Sequence, residues 1–104
     1  MIYLSGSISK RDFNEAFDHF KRVEKYFDQQ KSQTYNPVIL GAPDKDFTWE
    51  KLMRLAVTSM LIKCDKICML EGWQNSKGAV IERSLALTLG MEVIYEGVDF
   101  HTTQ

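Results

Sequence analysis

Apolar residues along the chain fall into short runs and longer helical stripes that alternate with one another. Ile2-Tyr3-Leu4 is a brief apolar run ending at Ser5-Gly6-Ser7, which predicts a buried strand followed by a small-residue loop. Phe13, Ala16, Phe17, Phe20, Val23 and Phe27 then recur at helical spacing, predicting a helix from about Asp12 to Lys31 with one aromatic-rich face. Asp12 is placed to cap that helix, with Glu15 three residues on as in a capping box. His19 falls on the polar side and is expected to be solvated. Tyr35 to Leu40 reads as a second short strand, which Pro37 pushes toward a sheet edge or an early end.

Gly41-Ala42-Pro43-Asp44 interrupts the chain again. Thr48 is expected to cap a helix running to about Lys63, with Leu52, Leu55, Ala56, Ser59 and Ile62 inward. Lys66-Ile67-Cys68-Met69-Leu70 is nearly all apolar, as a strand is when both sheet faces are covered. Gly72 to Gly78 reads as a loop, Ala79 to Leu89 as a helix stopped by Gly90, and Glu92 to Tyr95 as a fourth strand. Residues 1–96 then form one domain, and residues 97–104 read as a tail.

Helices between successive strands imply right-handed crossovers and a short parallel sheet of about four strands covered on both faces. The expected fold is α/β: a three-layer α/β/α sandwich of the flavodoxin or Rossmann-like kind.

Composition narrows the function classes. The chain has 104 residues, 44% hydrophobic and 26% charged, which is ordinary globular usage for one domain. Thirteen basic and 14 acidic residues leave a net charge of -1, and no basic stripe is present to grip duplex nucleic acid. No apolar run approaches the ~20 residues that cross a bilayer, and the N-terminal run is too short for a signal peptide. A cytoplasmic protein without membrane partners is expected. Cys64 and Cys68 suit that compartment as free thiols, and no His or further Cys lies near them in sequence to complete a metal's four ligands.

In a sheet of this kind ligands bind beyond the carboxyl ends of the strands, where strand order reverses. Two loops have suitable composition: Ser5-Gly6-Ser7-Ile8-Ser9 after the first strand, and Gly72-Trp73-Gln74-Asn75-Ser76-Lys77-Gly78 after the third. Their glycines allow close backbone approach, their serines can donate to an anion, and each precedes a helix N-terminus. Neither fits the P-loop or dinucleotide fingerprint. Small polar turns of this type are also common without any ligand.

Glu82, about one turn into an otherwise apolar helix, is the sharpest single residue. It is either a dipole-favoured carboxylate or an anionic nucleophile at a pocket floor, held ionised by the same N-terminal field. An adjacent anion suits attack at a glycosidic carbon, where the transition state resembles an oxocarbenium cation. Trp73 either stacks on a base or covers the core edge and a subunit contact, the second being preferred. Tyr3 is read as half core, with a hydroxyl that can reach the pocket. Trp49 and Met53 are assigned to packing or a partner surface.

Ile2-Tyr3-Leu4-Ser5-Gly6-Ser7-Ile8, Cys64-Asp65 and Ser76-Lys77-Gly78-Ala79-Val80-Ile81-Glu82, closing with Ala86 and Gly90, together resemble the nucleoside 2-deoxyribosyltransferase-like superfamily. The stretch from Thr48-Trp49-Glu50 through Met69-Leu70-Glu71-Gly72-Trp73 to Glu82 is similar to its branch denoted domain of unknown function 4406. The resemblance implies a nucleoside or nucleoside-monophosphate N-glycosidase or 2-deoxyribosyltransferase working without a cofactor. It puts the nucleophile at Glu82 and the first-strand tyrosine at Tyr3. Sugar and phosphate contacts fall at Ser5, Gly6, Ser7, Ile8, Ser76 and Gly78. It also implies a homodimer or higher homo-oligomer. Two departures stand out. An acidic residue expected on the middle helix, eight positions before Asp65, is Val57 here, and an arginine expected after Ser-Ile is Ser9, with Lys10 or Arg11 as substitutes. A non-catalytic nucleotide-binding or sensing module with the same pocket is therefore the alternative.

Overall fold

A computed structural model describes residues 1–8 and 11–102 of the chain. Its elements follow in the order β1 (Ile2–Ser5), α1 (Phe13–Gln29), β2 (Thr34–Tyr35), α2 (Trp49–Lys63), β3 (Lys66–Met69), α3 (Lys77–Thr88) and β4 (Glu92–Tyr95). The strands form one parallel sheet in the order β2-β1-β3-β4. The chain therefore moves outward from β1 to β2, then crosses back over β1 to β3, so the strand order reverses between β1 and β3. That is the expected place for a ligand in an open α/β sheet.

Alternation along β1 sends its side chains to two separate cores. Ile2 and Leu4 pack with Phe20, Val23 and Phe27 of α1. Tyr3 joins Ala56 and Met60 of α2 and Ala79 and Ala86 of α3 on the opposite face. The result is the three-layer α/β/α arrangement expected from the pattern, with α1 on one face and α2 and α3 on the other.

Helix starts follow the expected chemistry. Asp12 accepts from the Glu15 backbone N–H at 3.1 Å, and Thr48 from that of Lys51 at 3.4 Å. α3 begins earlier than the apolar pattern implied. Ser76 caps it by accepting from the Ala79 N–H at 3.2 Å, which places Gly78 inside the helix.

Four expectations are corrected. The second strand is only two residues long, because Pro37 has no N–H for the ladder and a fixed φ; Pro37–Leu40 instead forms a 3₁₀ turn capped by Asn36, which accepts from the Val38 N–H at 3.1 Å. The inward stripe of α2 is rotated: Ala56 and Met60 are buried, whereas Leu55 and Ile62 are exposed. His19 is buried, with its Nε2 2.7 Å from Glu96 Oε1. The segment after Gly97 does not trail away. Phe100 is buried, stacks on Tyr26 with ring centroids 4.4 Å apart, and meets Phe27 edge-on.

Candidate functional site

The site begins with the two-residue period of β1. Tyr3 and Ser5 point to the same sheet face, toward α3, and both are buried. On α3 the buried positions are Gly78, Ala79, Glu82 and Ala86, a stripe of small residues interrupted by one carboxylic acid. Small side chains bring the helix close to the sheet, so the Glu82 carboxyl meets β1 directly. The Tyr3 hydroxyl donates to Glu82 Oε2 at 2.6 Å, and the Ser5 hydroxyl donates to Oε1 at 2.7 Å. Each carboxylate oxygen keeps a second lone pair free.

Burial costs the charged carboxylate its hydration, and this outweighs the two hydroxyl donors, pushing Glu82 up from 4.5 to about 7. The expectation that the helix field keeps it ionised is therefore corrected. The carboxyl lies beyond the first turn of α3, and desolvation dominates there. Burial, followed by the neighbouring carboxylate, holds the Tyr3 phenol well above its ordinary value, so it acts as a neutral hydrogen-bond donor near pH 7.

Glu82 and Tyr3 form part of the wall of a cavity of about 70 Å³ at the carboxyl end of β1. Gly6 and Ile8 contribute from the loop after β1, and Ser76, Gly78 and Ala79 from the start of α3. The two loops singled out in the sequence thus meet at one hollow. Ser5 touches Glu82 without lining the cavity, and Ser7 does not line it. Ser9 and Lys10 lie outside the described residues. Arg11 turns away from the hollow, toward His19 Nδ1 at 3.1 Å and the Glu15 carbonyl at 3.2 Å.

The remaining wall was not anticipated. Trp49, Leu52, Met53 and Ala56 of α2 line the cavity, together with Pro37, Leu40, Gly41 and Pro43 from the segment after β2. The spacing of the α2 residues was the available signal, since positions 49, 52, 53 and 56 share a helix face. Val57 falls outside that wall. Trp73 does not reach the hollow. Its ring packs under the Arg83 guanidinium, 4.9 Å from the centroid, near Tyr95.

Gly6 has no room for a side chain, whereas Gly78 faces the flexible end of one. A Cβ on Gly6 would sit 3.0 Å from Leu70 Cβ and 3.3 Å from the Phe20 ring, and one on Gly78 would sit 2.9 Å from Met53 Sδ. Among the described residues, no three His, Cys, Asp or Glu side chains are grouped as a metal ion would need. No helix among them is long and apolar enough to cross a membrane.

Fold and site together define a parallel α/β sandwich carrying one buried carboxyl at its topological switch point. The chain belongs to the family described as Domain of unknown function (DUF4406), whose model matches residues 1–95. No curated protein and no solved structure matches it.

Proposed function

We propose that the protein cleaves or exchanges the N-glycosidic bond of a nucleoside or nucleotide, with Glu82 as nucleophile. The observation that carries this reading is the Glu82 carboxyl, buried at a cavity and held in place by the hydroxyls of Tyr3 and Ser5. The sequence resemblance to the nucleoside 2-deoxyribosyltransferase-like superfamily supports it. A carboxylate so placed stabilises the cationic sugar of the transition state and then bonds to its anomeric carbon. Tyr3 and Ser5 fix the carboxylate's orientation, so little reorganisation accompanies the attack. Water, or a second base, then displaces Glu82 from the sugar.

In this reading the sugar lies against Glu82, and the apolar wall of Trp49, Leu52 and Met53 takes the base. Association into a homodimer or larger assembly belongs to the same proposal. Exposed Leu55 and Ile62 on α2 and Leu87 on α3 offer apolar surface for it.

The test is a panel of nucleosides, deoxynucleosides and their monophosphates, assayed for free base by chromatography. Base release that vanishes in Glu82→Ala supports the enzyme. Tight binding with no release, unchanged in Glu82→Ala, supports a sensing module instead. Neither release nor binding across the panel rejects both.

A further inference from the structure

Glu82 lies buried without a counter-ion. Its two hydrogen-bond partners are neutral hydroxyls, and among the described residues it enters no ion pair. A buried anion partnered in this way is left electrostatically incomplete, and a cation brought into contact with it recovers much of the lost hydration. The cavity in front of Glu82 is walled by Pro37, Pro43, Trp49, Leu52 and Met53. Such a surface accepts a flat cationic ring, since aromatic faces attract positive charge and apolar walls strengthen the attraction by excluding water. The Lys77 ammonium, 5.1 Å from the Trp49 ring centroid, must swing aside for such a ring to stack there.

The same walls bear on the leaving group. A neutral base departs from a sugar as an anion unless a proton reaches it, and an enzyme acid ordinarily supplies that proton. The titratable side chains lining the hollow, among the described residues, are Tyr3 and Glu82. Glu82 is the nucleophile, and the Tyr3 proton is committed to it. A base that already carries a positive charge needs no such help.

Resting on the proposed N-glycosidase reading, we infer that the substrates are N-glycosides whose base is cationic, a pyridinium or an N7-alkylated purine. The anomeric C–N bond breaks and its electron pair passes to the ring nitrogen, which leaves a neutral base. A Glu82 oxygen forms the new bond to the anomeric carbon. Water then adds its oxygen to that carbon, the bond to Glu82 breaks with its pair returning to the carboxylate, and one proton passes to solvent. The sum is cationic glycoside plus water giving sugar, neutral base and a proton.

The experiment compares matched pairs on the intact protein: 7-methylguanosine against guanosine, their 2′-deoxy forms, and nicotinamide riboside against uridine. General acid catalysis contributes typically 10²–10⁴-fold, so the cationic member is expected to lead in kcat/KM by at least about 100-fold. The rate on nicotinamide riboside, whose pyridinium charge does not titrate, should hold level from pH 8 to 10, because no enzyme acid is lost there, and should vanish in both Glu82→Ala and Glu82→Gln; the 7-methylguanosine pairs are compared below pH 7, where its purine keeps a net positive charge. Neutral nucleosides cleaved within about tenfold of their cationic partners, or a nicotinamide riboside rate that falls above pH 8, overturn the inference and leave Glu82 as nucleophile. Release from neutral nucleosides alone does the same. No base from any compound, here or in the broader panel, overturns both.

Discussion

Replacing Glu82 with Gln tests the electrostatics of the site without requiring a substrate. The carboxyl is held up at about 7 in the folded chain against 4.5 when hydrated. The folded state therefore binds its proton more tightly than the unfolded state. By linkage, wild-type stability is greatest on the acid side and declines as pH rises from about 4.5 through 7. Each pH unit of difference is worth about 1.4 kcal/mol, so the full loss is about 3 kcal/mol, of which about 2.5 falls between pH 5 and 8. Glu82→Gln has nearly the same shape and no charge to strand, and the Tyr3 and Ser5 hydroxyls can each turn to accept from or donate to the amide. The two proteins should be of similar stability at pH 5. At pH 8 the variant should be ahead by about 2–3 kcal/mol, which in a domain of this size is a gap of roughly 10–20 °C in Tm. Thermal and urea unfolding at the two pH values measure the gap, and taking the difference cancels every titration the proteins share. Parallel pH dependence would show that the carboxyl is hydrated through the cavity rather than buried, and the reasoning about its charge would fail.

Other outcomes follow from the same geometry. If Glu82 is the nucleophile it must be ionised, so base release should rise with pH through about 7 and then level, read from initial rates between pH 5 and 9. Gly6→Ala forces a methyl against Leu70 and Phe20 and should lower stability by about 1–3 kcal/mol. Gly78→Ala presses on the flexible end of Met53 and meets the Trp49 ring only at an ordinary 3.7 Å, so Tm should change little while KM rises as the hollow narrows. Burial alone would raise the Glu96 carboxyl, but the donors from His19, Thr102 and the Glu71 N–H outweigh it and hold the group down to about 2, so stability from this cluster is present above about pH 4.5 and lost as pH falls toward 2. His19→Ala should remove about 2–4 kcal/mol at pH 7 by leaving Glu96 buried without its cationic-capable partner, measured by urea unfolding.

The alternating pattern of short apolar runs and helical stripes was enough to define the α/β class, the parallel sheet and most helix boundaries. These depend on local period, on capping residues such as Asp12 and Thr48, and on the double-sided burial of β3, all written into neighbouring residues. Chemistry was legible where a motif and its element coincided: Glu82 stood out as a carboxyl on an apolar stripe, and Tyr3 as a hydroxyl able to reach the pocket, whereas Ser5 was placed in the loop and is the last residue of β1, on the same face as Tyr3. Packing between elements decided the rest. His19 and Phe100 could not be assigned from period alone, because each is buried by a partner more than seventy residues away in the chain. The cavity wall joins Trp49 and Met53 to the expected inward Leu52 and Ala56 of α2, and β2 ends early enough for the Pro37–Pro43 segment to complete it. The state of Glu82 was equally a tertiary matter. Sequence placed a carboxyl near a helix N-terminus, which predicts an anion, but the folded chain removed it from water, and desolvation is the larger effect.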